Sequence, residues 1–222
     1  MTKWLEKLGG PEAIIQGILS EFEGFCAIPH PSWGEKALSD ALYRRFTEAG
    51  LQPRRDAVHN LTVDLCATEG CEDAPLTVIQ GHLDMVCAVA PDGGWNPETD
   101  PVTTVVRDGF LRSGGCSSLG ADNNLGNAVV LWLLNQNVPH GPIRLLFTVA
   151  EEVGLEGAKR VSPDWLAGAK YLLNTDGFHF GRVVVGSAGG RRDFYPSSGD
   201  RDGRAGGGLC HLHLRRCRRT LR

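Results

Sequence analysis

The stretch PIRLLFTVAEEVG, Pro142 to Gly154, carries an apolar run suited to a buried strand and stops on two adjacent carboxylates, Glu151 and Glu152. Neighbouring side chains of an extended segment point to opposite sides. Two acids at the end of one core strand repel each other and resist burial unless something positive lies beside them. That requirement bounds the fold more tightly than any bulk property of the chain.

The rest of the pattern supplies a scaffold. Ile14, Ile15, Ile18, Leu19, Phe22 and Phe25 recur at helical spacing, which predicts an amphipathic helix over 12–25. IPHPSWGE breaks it, with Ser32 as the cap of a second helix that carries Leu38, Leu42 and Phe46 and ends at Gly50. NLTVDLCA alternates as a half-buried strand, and PLTVIQ reads as a core strand running directly into GHLDMV. NNLGNAVVLWLLNQN is apolar on nearly every side, which predicts a helix packed deep between layers. PIRLLFTV, KYLLNT and GRVVVG are further short strands. Strands alternating with helices imply an α/β layered domain with a largely parallel sheet.

The polar residues fall at the ends of these elements. His82 and Asp84 follow one strand, Glu151 and Glu152 a second, and Asp176 a third, while Asp122 in LGADNNLG precedes the apolar helix. Ligands of open α/β sheets gather outside the carboxyl ends of the strands, so these groups are expected on one rim. Each has a bland reading alone. An H-x-D pair is usually surface, Asp122 suits a helix cap, adjacent glutamates suit a helix start, and Asp176 before glycine suits a turn. All of them at successive element edges make the joint bland reading weak. A rim so negative calls for a divalent cation.

Bulk properties exclude some classes. The net charge of −3 favours no polyanionic partner, although it sums −9 over 1–190 and +6 over 191–222. The seven cysteines include no C-x-x-C pair, the N-terminus has no apolar targeting segment, and no run of apolar residues is long enough to span a bilayer. These features predict a soluble, cytoplasmic protein with free thiols. No nucleic-acid or membrane partner is expected.

VIQGHLDMV, SLGADNNLG, FTVAEEVGLEGA and LLNTDG resemble the successive metal-site blocks of the M20 metallopeptidases. The GHLDMVC and GADNN wording, with IPHPSWGEKAL upstream, is most similar to the aminoacyl-histidine dipeptidase branch. The resemblance runs from about Gly24 to Gly190. It implies a three-layer αβα zinc-peptidase-like catalytic domain with a mostly parallel central sheet, here incomplete. It further implies two Zn²⁺, with Mn²⁺ or Co²⁺ admissible for carboxylate-rich ligation. His82, Asp122, Glu152 and Asp176 would be metal ligands, with Asp122 bridging and its peptide to Asn123 cis. Asp84 would orient His82, and Glu151 would be the general base. The implied activity is hydrolysis of short peptides such as Xaa-His dipeptides. The rivals are an N-acyl amino acid deacylase of the same superfamily and a non-enzymatic remnant.

Members of that branch insert a second domain for dimerisation and carry a distant histidine that completes the second metal site. A family-like homodimer would need that second domain. After Gly190 the composition changes to an Arg/Gly-rich tail. The expectation is that 1–190 forms the N-terminal part of the catalytic domain and that 191–222 is disordered and out of frame, leaving the chain alone inactive. Cys210, His211, His213 and Cys217 do not have the spacing of a zinc finger. His30, His59, His140 and His179 are expected at the surface or behind the site.

Overall fold

A computed structural model describes residues 2–177 and 181–185. It divides into two units, Met1–Asp176 and Gly177–Arg222. The first unit begins with helices Thr2–Lys7 (α1), Gly10–Cys26 (α2) and Lys36–Glu48 (α3). Strands Arg54–Arg55 (β1), Leu61–Leu65 (β2) and Thr77–His82 (β3) follow, then a hairpin of Thr104–Arg107 (β4) and Phe110–Ser113 (β5). Helix Ala121–Leu134 (α4) precedes strands Ile143–Thr148 (β6) and Tyr171–Asn174 (β7).

Five strands form one sheet in the order β1-β2-β6-β3-β7. β3 runs parallel to both β6 and β7, β2 antiparallel to β6, and β1 antiparallel to β2. Four of the five strands therefore share a direction, with β2 reversed. The molecule is an α/β fold with a mostly parallel core.

Side-chain alternation along the strands separates two cores. Leu61, Val63, Leu145 and Phe147 pack against Phe22 and Phe25 of α2, Leu38, Leu42 and Phe46 of α3, and Leu131 of α4. The Phe46 and Phe147 rings stack at 6.1 Å. Each such side chain, fully buried, stabilises the fold by about 1.5–3 kcal/mol. On the opposite face Val78, Leu146 and Trp165 form a small cluster. Among the described residues that face is covered by Trp165 of the 3-10 turn Pro163–Trp165, with Val161 and Ala169 packed beside it.

Four expectations change. Ser32 does not cap α3, whose N-cap is Glu35; its hydroxyl donates to Asp84 Oδ2 instead, at 2.7 Å. α4 is not enclosed on all sides. Leu125, Val129 and Leu133 are each 39% exposed, one apolar stripe left uncovered on its outer side. Of GRVVVG, the described Arg182–Val185 forms no strand and its valines are exposed, because a short apolar run does not specify a strand by itself. The β4–β5 hairpin was not expected. Expectations for 191–222 and His179 lie outside the described residues.

Candidate metal centre

Register decides where the polar groups go. His82, the last residue of β3, pairs with Thr148, the last of β6. Gln80 of β3 pairs with Asn174, the last of β7. Three adjacent parallel strands thus end together, and the segments leaving them carry Asp84, Glu151 with Glu152, and Asp176. α4 packs on β3 and brings Asp122 to the same edge from its first turn. Asp122 departs from helical geometry (φ −83°, ψ 114°), and the Asp122–Asn123 peptide is cis.

His82 is the hub. Its Nε2 lies 3.1 Å from Asp122 Oδ1 and 3.9 Å from Asp176 Oδ2. Two sets of ligand atoms, His82 with Asp122 and Asp176, and His82 with Glu151 and Glu152, each lie within 4.8 Å of one another. The ring is fixed from behind, with Nδ1 donating to the Asp84 carbonyl at 3.0 Å and the Asp84 carboxylate at 3.4 Å. Asp84 is fully buried and accepts from the Ser32 hydroxyl and from the Glu151 and Glu152 amides.

The electrostatics are those of a cluster short of positive charge. His82 is the only basic side chain within 4.0 Å of these carboxylates among the described residues. Burial alone would lower its pKa, but the hydrogen bond and charge of Asp84, with Asp122 and Glu151, lift it to about 9. Glu151 is pushed above the usual carboxylate range by burial and then by Asp176, Asp84 and Asp122. Burial and the Asp122 charge raise Glu152 and Asp176 as well. Asp84 is the exception. Burial raises it, yet the hydrogen bonds from His82, the two amides and Ser32 prevail and hold it below its ordinary value.

A buried amide layer lies beneath this rim. Asn127 Nδ2 donates to the His82 carbonyl at 2.7 Å, and Thr175 donates to Asn123 Oδ1 at 2.8 Å. Asn124 Nδ2 donates to His30 Nε2 at 2.8 Å. Burial lowers the pKa of His30, which keeps that nitrogen an acceptor. Gly81 leaves the room these amides occupy, since an added Cβ would lie 2.1 Å from Asn127 Oδ1 and 2.6 Å from Asn123 Oδ1.

All six residues picked out in the sequence, His82, Asp84, Asp122, Glu151, Glu152 and Asp176, are brought to this one edge. Others went unseen: Ser32, Glu35, Asn60 and Asn127. Asn123, Asn124 and Asn127 fall on one helix face of an otherwise apolar run, a pattern sufficient to flag them. Glu35 and Asn60 bond to partners 115 and 89 residues away, so no local pattern marks them.

Residues 78–190 match peptidase family M20/M25/M40. The chain belongs to this family. It is 37% identical over 170 residues to the cytosol non-specific dipeptidase of Escherichia coli K12, a match covering 76% of this chain and 35% of that protein. The crystal structure of an aminoacylhistidine dipeptidase from Vibrio alginolyticus superposes with a TM-score of 0.74 at 36% identity, covering 82% of this chain and 39% of that one. The succinyl-diaminopimelate desuccinylase of Nitrosomonas europaea is 33% identical over 105 residues, 47% of this chain and 27% of that protein. This M20 chain thus spans little more than a third of the length of the two dipeptidases it matches.

Proposed function

We propose that the chain carries the metal-binding and proton-transfer half of a dipeptidase that cleaves short peptides such as Xaa-His. The observation that supports it most strongly is the arrangement of His82 Nε2 among Asp122, Asp176, Glu151 and Glu152. One imidazole and several carboxylate oxygens from separate elements form a donor set that fits Zn²⁺, with Mn²⁺ and Co²⁺ admissible. The lifted pKa of His82 says the same in electrostatic terms, because the proton on Nε2 stands where a cation belongs.

His82, Asp122, Glu152 and Asp176 would hold the metal, with Asp122 as the ligand that would serve both ions of a pair. When bound, the ions supply Lewis-acid polarisation of the scissile carbonyl and acidify water. Asp84 holds His82 in the tautomer that presents Nε2. Glu151 has a raised pKa, as a general base working near neutrality needs. It takes a proton from the attacking water and delivers it to the leaving amine nitrogen. We assign residues 1–190 to the catalytic domain and 191–222 outside it, in keeping with the family match ending at 190. A cytoplasmic setting suits the free cysteines of the described residues.

The test is a hybrid in which this chain's residues 1–176 replace the matching part of the E. coli dipeptidase. Hydrolysis of an Xaa-His dipeptide by the Zn²⁺-loaded hybrid, lost by at least 100-fold on Glu151→Gln, is the expected result. A folded hybrid with no such activity would refute the proposal. A second reading, hydrolysis of N-acyl amino acids, is favoured by the match to the desuccinylase. Cleavage of acyl substrates and not dipeptides by the same hybrid would select it.

A further inference from the structure

Four successive backbone N–H groups at the end of β6 are each accepted by a side chain. Val149 donates to Asn60 Oδ1 at 3.0 Å, Ala150 to Glu35 Oε1 at 2.7 Å, Glu151 to Asp84 Oδ1 at 2.9 Å and Glu152 to Asp84 Oδ2 at 3.1 Å. Asn60, Glu35 and Asp84 are at most 2% exposed. Carbonyls of the same segment are tied too. Those of Val149, Ala150 and Glu151 accept from Gly157, Glu156 and Leu155 at 2.8–3.0 Å.

Ala150 is the awkward member. It is fully buried and has φ +50°, the left-handed region that a residue with a Cβ seldom adopts. This conformation turns the chain off the strand direction just before Glu151, and its amide has one side-chain acceptor, Glu35. The metal-centre reading uses Asp84 but leaves Glu35 with nothing to do. Among the described residues Glu35 makes no ion pair, and a buried carboxylate without one is costly unless it serves a fixed purpose.

We propose that Glu35 is a positioning residue, whose carboxylate pins the Ala150 amide in the turned conformation and so aims Glu151 and Glu152 into the centre. It acts through hydrogen-bond acceptance and not through charge. The inference deepens the metal-centre reading and rests on it for the purpose of the turn. The clamp itself is independent of any ion. Glutamine retains a carbonyl oxygen at the same reach and preserves the clamp, whereas alanine removes the acceptor and aspartate draws it back by one methylene.

The experiment compares the 222-residue chain with its Glu35→Gln, Glu35→Asp and Glu35→Ala variants by amide hydrogen exchange and Co²⁺ titration. Expected are faster exchange confined to 149–152 in the Asp and Ala variants, Co²⁺ binding weakened about 10-fold or more in both, and near-native behaviour for Gln. Should the Ala variant fail to fold, the contrast between Gln and Asp still decides. Unchanged exchange at 149–152 in the Asp variant, exchange raised equally throughout the molecule, or a Gln variant as impaired as the Asp one would overturn the clamp. A native chain that takes up no Co²⁺ would sink the metal-centre reading instead, with the exchange contrast still testing Glu35.

Discussion

At Gly157 an added Cβ would lie 2.1 Å from the Val149 carbonyl oxygen and 2.7 Å from both the Val149 nitrogen and Asn60 Oδ1. Two of those atoms are backbone and the third belongs to a buried side chain that donates to the Gly157 carbonyl at 2.9 Å, so none can retreat cheaply. Gly157→Ala is expected to destabilise the fold by about 1–3 kcal/mol, the cost of forced overpacking. Chemical denaturation measures it, and a midpoint unchanged from native would contradict the packing described. Residue by residue, the centre's acids and histidine were legible because each sits at the edge of a recognisable element. The supports were not. Glu35 in IPHPSWGE looks like any helix-entry acid, since the amide it accepts lies 115 residues away.

α4 presents two unlike faces, and they make separate demands. Leu131 is 3% exposed and belongs to the main core, whereas Leu133 is 39% exposed on the outer stripe. Leu131→Ala is expected to cost about 2–5 kcal/mol, and Leu133→Ala about 0.5 kcal/mol or less. Equal losses in the two variants would mean that the outer stripe is covered. From sequence alone the whole helix reads as enclosed, because its apolar residues surround the axis and burial depends on which neighbours arrive. Strands β2, β3, β6 and β7 were readable from alternation or apolar runs. The β4–β5 hairpin went unread although Asp108 and Gly109, at φ +53° and +76°, form the Asp-Gly turn that favours a tight hairpin. Arg182–Val185 is the converse case, an apolar run that forms no strand.

Across the whole molecule, one arrangement gives the fold its chemical purpose. Parallel β6, β3 and β7 end at a common edge, and five carboxylates share one histidine there. A polypeptide alone gains nothing from gathering such charge, and the raised pKa values of Glu151, Glu152 and Asp176 register the strain. The strand ends could be read from sequence. Their gathering on one rim follows from the rule that ligands lie outside the carboxyl ends of parallel strands, whereas the order that sets β6, β3 and β7 side by side is contained in no local pattern. The most direct test is Zn²⁺ titration of the 222-residue chain by calorimetry, beside the His82→Ala and Asp176→Asn variants. Saturable uptake by the native chain is expected, weakened at least 10-fold in each variant that still folds. A native chain that takes up no Zn²⁺, or variants that bind it as tightly as native, would contradict the claim that these side chains converge to hold a metal.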